Sequence, residues 1–324
     1  MTASDLRRSP LLWVAAAMLL LVVPTAVLAV ADPVRTGGSD GWVKPLKFEL
    51  SIALYAVTLA WLVTRLRRGR RLAEALGAVA GGLLVVEVVI ILGAAALGTT
   101  SHFNVSTPAH ATAFAVMGVS IAVVWVITAV VGVLLWRSPS DDPAVDLSVR
   151  AGVVIALAGM AVAFLMTSPT SAQLADFRGT SGAHTVGAAD GGPGLPLLGW
   201  STVAGDLRVP HFVGMHALQA LPLLALLLSL AADRWPAAAA VLTPRTRRQL
   251  VTLASTGSAA ALVLLTWQAL VGQSVVAPTG AVLAAGSVTA AALAVATAVV
   301  LLRARRAACA GAAREPAVPH PAAP

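Results

Sequence analysis

The chain is 324 residues long, with 58% hydrophobic and 11% charged residues, a mean hydropathy of +0.86 and a formal net charge of +8. That balance lies outside the range of soluble domains and predicts an all-α integral membrane protein. The positive charge requires no nucleic-acid partner, because arginines beside anionic lipid account for it. A single cysteine, Cys309, excludes an intramolecular disulfide.

In chain order, the apolar stretches run Leu11 to Ala31, Phe48 to Thr64, Leu72 to Leu97, His110 to Trp136, Val149 to Thr167, Val209 to Ala232, Gln249 to Val271 and Gly280 to Leu302. Each is long enough, or nearly so, to cross a hydrocarbon core of about 30 Å at about 1.5 Å per residue. Eight spans follow. Arg7, Arg8 and Ala29-Val30-Ala31 around the first stretch resemble a secretory signal, but its apolar run exceeds the usual length, so it reads as a retained helix.

Lysine and arginine set the orientation, because they are retained on the cytoplasmic side of short loops. With both termini inside, 17 of 22 fall on the inner side, and only Arg35, Lys44, Lys47, Arg178 and Arg208 fall outside. The expected location is therefore the cytoplasmic (inner) membrane of the cell, multi-pass, with both termini cytoplasmic.

The chain divides into an N-terminal four-helix half, 1–136, and a C-terminal half, 137–306, whose outer loop covers 168–208. The tail 307–324, rich in Ala and Pro and carrying His320, reads as disordered. Gly98-Thr99-Thr100-Ser101 after the third span has a counterpart in Gly272-Gln273-Ser274 after the seventh. Pro45-Leu46-Lys47-Phe48 likewise corresponds to Pro210-His211-Phe212. An offset of four helices gives both copies the same orientation, so the halves are parallel repeats about an axis along the membrane normal. The glycines and prolines of the outer loop favour turns, and Phe177, Arg178, Trp200, Asp206 and Arg208 suit a packed cap.

Five of the six histidines, His102, His110, His184, His211 and His216, lie at the outer end of this layout. His211 and His216, five residues apart, are separated by roughly 140° around a helix and do not face one point. His110 and His216 are the expected axial pair for a haem b, since neutral imidazole is a usual haem ligand and bundle cores hold cofactors. Arg178 and Arg208 would then pair with its propionates. Copper or zinc held by three of the five histidines, with Asp190 or Asp206, fits the same inventory. Ordinary interfacial histidines fit it too. No H-x-x-x-H or C-x-x-C-H spacing is present.

Glu87, near the middle of the third span, is a separate candidate, because an ionisable group in hydrocarbon costs about 2.5–3.5 kcal/mol on insertion scales. It is expected to act as a proton-relay residue, as the coupling site of a transporter, or as a buried structural donor. Glu49 is expected to reach the interface near Lys47, and Gln219 and Gln268 to bond across helices. Glycine and alanine runs, among them Gly77 to Gly82 and Gly93 to Gly98, are expected to let helices approach closely. Trp42, Trp125, Trp136, Trp200, Trp235 and Trp267 are expected mainly to form an aromatic belt.

Eight spans in two halves, outer-end histidines, and the stretch from Gly182-Ala183-His184 through Asp206-Leu207-Arg208 to His211 and His216 resemble the haem A synthase group. The resemblance implies haem bound by histidines at outer helix ends. The chain differs in having no histidine in its second or eighth span and no Glu-x-x-His pair. Trp42 to Phe48 and Ser101-His102-Phe103-Asn104 resemble segments of bacterial polytopic membrane proteins of similar length, which implies no activity. The leading expectation is redox or electron transfer, as in a membrane oxidoreductase served by a redox partner or quinone. The alternatives are a proton-coupled small-solute transporter using Glu87 and a non-catalytic assembly factor.

Overall fold

The computed structural model describes residues 9–32, 35–36 and 39–312. Among them, eight helical segments are long and apolar enough to cross a membrane, as expected of a multi-pass membrane protein. The N-terminal set is α1 (Pro10–Ala31), α2 (Val43–Thr64), α3 (Arg70–Ala96) and α4 (Pro108–Trp136), with a two-residue hairpin, β1 (Arg35–Thr36) and β2 (Ser39–Asp40), between α1 and α2. The rest comprises α5 (Pro143–Met166), the short α6 (Ser171–Ala175), β3 (Thr185–Val186), β4 (Gly205–Asp206), α7 (Arg208–Met215), α8 (Ala217–Arg234), the short α9 (Pro236–Val241), α10 (Pro244–Leu270) and α11 (Gly280–Ala312).

Local chemistry starts these helices earlier than hydropathy alone suggests. The fifth span opens at Pro143 rather than Val149, because the Asp142 carboxylate accepts the N–H groups of Ala144 and Val145 and proline takes the first turn, where no donor is needed. Thr107 and Thr243 cap α4 and α10 in the same way. The second span opens at Val43 rather than Phe48, so Lys44 and Lys47 belong to a helix.

The sixth span runs Arg208–Arg234, with a one-residue turn at His216 between α7 and α8 where the backbone stays in the helical region and Ala220 N–H still donates to the His216 carbonyl (2.9 Å), and Pro222 removes a helical hydrogen bond shortly afterwards. Helix α11 continues to Ala312, so residues 307–312 are helical. The remainder of the expected tail, with His320, lies outside the described residues, as do Arg7 and Arg8.

The packing has a repeated order. Helix α1 packs on α2 and α3, α2 on α3, and α3 on α4. In the second half α5 packs on α7–α8 and on α10, α10 on α7–α8, and α10 on α11. The halves meet through α4 with α5 and through α2 with α8. The ends of α3 and α10 also match: Gly98 and Gly272 adopt φ of 65° and 75°, and Thr99 N–H donates to the Ala94 carbonyl (2.9 Å) as Gln273 N–H does to that of Gln268 (3.0 Å). A left-handed residue with this pair of bonds is the common way to satisfy carbonyls at a helix end, and glycine adopts it without a side-chain penalty.

Close helix approach is only partly where the small-residue runs place it. Gly77 and Gly81 face Leu11 and Val14, whereas Gly82 and Gly93 meet nothing within 4 Å. The tightest crossing lies between Gly159 of α5 and Gly214 of α7, where a Cβ on Gly159 would sit 2.5 Å from the Gly214 Cα. Trp42 is buried and donates to Asp32 (2.9 Å), and Trp125 donates to the Leu157 carbonyl of α5 (2.9 Å), so these two indoles join elements rather than forming a belt.

Glu49 does not reach the interface. It is fully buried, takes the Thr25 hydroxyl of α1 on Oε1 (2.8 Å), and leaves Oε2 without a partner. Neither glutamine bonds across helices: Gln268 donates to the nearby Ser274 carbonyl, and the Gln219 amide nitrogen meets the Met215 and His216 carbonyls of its own chain turn. At the end of the bundle opposite the 168–208 segment, Arg247 of α10 pairs with Asp142 (2.8 Å), and Ser229 of α8 bonds to both, joining three helices.

Candidate functional site

The end of the bundle that carries residues 168–208, here the cap end, gathers five of the six histidines together with Lys44, Lys47, Asp190, Asp206 and Arg208. Residues 97–107 leave α3 and turn back onto the bundle. Phe103, buried with φ of 62°, occupies a left-handed conformation unusual for a bulky side chain. Three contacts to the cap hold it there: its carbonyl accepts Ser181 N–H (2.9 Å), Asn104 bridges to Thr180, and Val105 N–H donates to the Gly179 carbonyl (2.8 Å). Gly182 has φ of 112°, and a Cβ on it would lie 2.5 Å from the Met166 carbonyl oxygen. Two backbones meet there without room for a side chain.

This loop points His102 inward, among Phe48, Phe103 and Phe114. Its Nδ1 lies 3.1 Å from Lys44 Nζ and 3.1 Å from the Ser101 hydroxyl, while its Nε2 lies 3.8 Å from Oε1 of Glu87. A lysine ammonium only donates, so Nδ1 accepts, and the neutral ring carries its proton on Nε2, facing the carboxyl. Glu87 is only 1% exposed, its Oε2 has no hydrogen-bond partner among the described residues, and it sits about 14 Å along α3 from the helix end at about 1.5 Å per residue. Burial, reinforced by the charges of Lys44, His184 and His211, holds the His102 imidazole well below the ordinary histidine value.

A second layer covers the first. His184 stacks on Phe103 with ring centroids 4.7 Å apart, and its Nδ1 lies 2.9 Å from the Asp190 carboxylate. Asp190 also accepts the backbone N–H groups of His184 and Thr185. Burial lowers His184, partly opposed by that carboxylate. Asp190 is held far below the usual carboxylate range: burial alone would raise it, but the hydrogen bond and charge of His184 and the cap's other donors outweigh that. In β4, opposite Thr185 of β3, Asp206 is fully buried and takes Arg208 through both oxygens (2.6 to 3.2 Å) together with Ser201 N–H (2.8 Å). Arg208 also donates to the Gly199 carbonyl.

The remaining expected residues separate. His211 Nδ1 lies 2.9 Å from the Gly159 carbonyl, which fixes a proton on that nitrogen. His216, at the turn between α7 and α8, stacks on Phe212 at 5.2 Å. His110 is held within its own turn, where the Ser106 and Thr107 hydroxyls lie 3.3 and 3.0 Å from its Nδ1. No hydrogen bond, ring contact or ion pair joins His110 to His216 among the described residues. Arg178 is 83% exposed and paired with Asp176, away from the buried cluster. Among the described residues, no three His, Cys, Asp or Glu side chains are arranged to hold a metal ion. Among the described residues, the donor geometry therefore gives no support to haem b, copper or zinc.

Neither hydropathy nor histidine clustering points to Lys44 and Lys47 as site residues. Their spacing of three residues at the start of an apolar span, on one helical face, was the available signal. Comparisons with protein-family models, curated proteins and solved structures found no match to the chain.

Proposed function

We propose that the protein is a proton-coupled transporter of a small solute in the cytoplasmic membrane, with Glu87 as the coupling carboxylate and His102 as the group that passes protons to it. The observation that carries this reading is the placement of the His102 ring, one nitrogen on the Lys44 ammonium and the other facing a buried carboxyl. Intramembrane ionisable groups in contact with one another are characteristic of proton relays and ion pathways. An imidazole that accepts on one nitrogen and donates from the other passes a proton without turning over.

In this reading the cap end faces outward and both termini are cytoplasmic, which the arginine distribution supports. The two four-helix halves are parallel repeats. The recurring helix pairings and the matched glycine ends of α3 and α10 support this. Lys44, Glu87 and His102 come from the first half, and His184, which stacks on Phe103, with its partner Asp190 from the second. The site thus lies where the halves meet, as in transporters built from repeats.

The test needs no knowledge of the solute. In liposomes on a solid-supported membrane, a jump from about pH 8 to about pH 6 should give a transient charge displacement in the wild type and in Glu49→Gln, but not in Glu87→Gln. A wild-type signal no larger than that of empty liposomes, or one retained in Glu87→Gln, overturns the reading. The same purified protein distinguishes the redox alternative: a Soret band or stoichiometric copper or zinc, lost in His216→Ala or His184→Ala, would replace proton coupling with a haem or metal centre.

A further inference from the structure

The two lysines at the cap end lack the partner that their charge calls for. Lys44 and Lys47 lie on the same face of α2, one turn apart, where side chains three residues apart are neighbours. Among the described residues, neither has a carboxylate within ion-pair distance: Lys44 Nζ meets an imidazole nitrogen, and Lys47 Nζ donates to the Leu198 carbonyl (3.0 Å). The nearby carboxylates are engaged elsewhere, Asp206 by Arg208 and Asp190 by His184. Lys44, Lys47 and Arg208 act on one another as like charges, against Glu87, Asp190 and Asp206. Holding ammonium groups together in a poorly solvated place is unfavourable unless an anion joins them.

We infer that Lys44 and Lys47 form the binding site for a small oxyanion, a carboxylate or phosphate, and that this anion is the solute that moves with the proton. The inference rests on the proton-coupling role given above to Glu87. The link is physical: an ionised Glu87 competes with the anion for the field of Lys44, and protonation of Glu87 releases that field to the anion. Lysine suits the task because its ammonium is a point charge that accepts oxyanions in many orientations. The polar contacts that aim the two groups, His102 and the Leu198 carbonyl, are neutral acceptors and leave the charge available.

The chemistry is shared by a free solute and a lipid phosphate, so the experiment separates the two. Purified protein in a neutral detergent is titrated with succinate, with inorganic phosphate and with short-chain phosphatidylglycerol, each against sodium chloride of matched ionic strength, and its melting temperature is followed. Succinate or phosphate should stabilise the wild type. The apparent affinity should fall about tenfold or more in Lys47→Gln, which keeps a donor for the Leu198 carbonyl, and be restored in Lys47→Arg. Stabilisation by phosphatidylglycerol alone assigns the lysines to a headgroup and overturns the solute role. No response beyond sodium chloride, or an unchanged response in Lys47→Gln, overturns the site itself. A normal wild-type displacement without an anion response sinks only this inference, whereas an anion response without a displacement sinks the proton-coupling role and with it the claim that the anion moves with the proton, leaving the anion site alone.

Discussion

Replacing Gly159 by alanine is a direct test of the packing that places His211. The new Cβ would lie 2.5 Å from the Gly214 Cα and 2.6 Å from the Gly214 carbonyl carbon and Met215 nitrogen, all backbone atoms that cannot rotate away. Ordinary contact needs about 3.5 Å, so α5 and α7 must separate by about 1 Å. That separation stretches the 2.9 Å bond from His211 Nδ1 to the Gly159 carbonyl beyond useful length. Overpacking of this kind costs about 1–3 kcal/mol, and the lost interhelical bond adds about 0.6 kcal/mol. Alanine returns up to about 1 kcal/mol through its better helix propensity. The net loss is about 1–3 kcal/mol, or a fall of about 2–12 °C in melting temperature at about 2–4 °C per kcal/mol. Gly118 in α4, with nothing within 4 Å, is the internal control, and Gly118→Ala should melt with the wild type or slightly above it. Both can be followed by tryptophan fluorescence in one detergent. If Gly159→Ala melts as high as Gly118→Ala, the close crossing does not exist and the placement of His211 falls with it.

Arg208→Met strands the fully buried Asp206 carboxylate with backbone donors alone, which should cost about 3 kcal/mol. Limited proteolysis should then cut within 168–208 at protease levels that leave the wild type intact, and an unchanged digestion pattern counts against the ion pair as the anchor of the cap. The pH dependence follows from His102 and His184, both held below the ordinary histidine value. A histidine lowered in the folded state contributes stability that is complete above the unfolded value near 6.5 and declines as pH falls below it, because the unfolded chain binds the proton first. Each imidazole then contributes a slope of up to about 1.4 kcal/mol per pH unit. Melting temperature should drop between about pH 7.5 and about pH 5.5, with a smaller drop in His102→Asn and in His184→Asn. A flat profile contradicts the burial of both rings.

The helices were legible because hydropathy and span length are local properties, and all eight expected stretches lie in helices long enough to cross a membrane. Helix starts were less legible, since Asp142 and Pro143 set the start of α5 through hydrogen bonding that hydropathy does not register. Glu87 was identifiable as a single charge in hydrocarbon. Its partner was not, because His102 reaches it only through a loop whose course depends on the left-handed Phe103 and on cap residues some 75 positions later. Histidine clustering was visible in the sequence, but which rings share an environment depends on side-chain partners. His110 is engaged by its own turn, whereas His102 and His184 both pack on Phe103.

The same backbone contacts indicate how an event at Glu87 would be felt in the other half. His102 cannot shift without moving Phe103, whose carbonyl is tied to Ser181, and Val105, which is tied to Gly179. From there the cap is continuous: Ala183 N–H bonds to the Met166 carbonyl at the end of α5, Thr185 pairs with Asp206, and Leu207 N–H bonds to the His184 carbonyl at the start of α7. Helix α7 carries Arg208 and His211 and is held on α5 at the Gly159–Gly214 crossing. Backbone bonds thus lead from the ring beside the buried Glu87 carboxyl to the start of α7, so the loop after α3, the cap and α7 are tied into one hydrogen-bonded course.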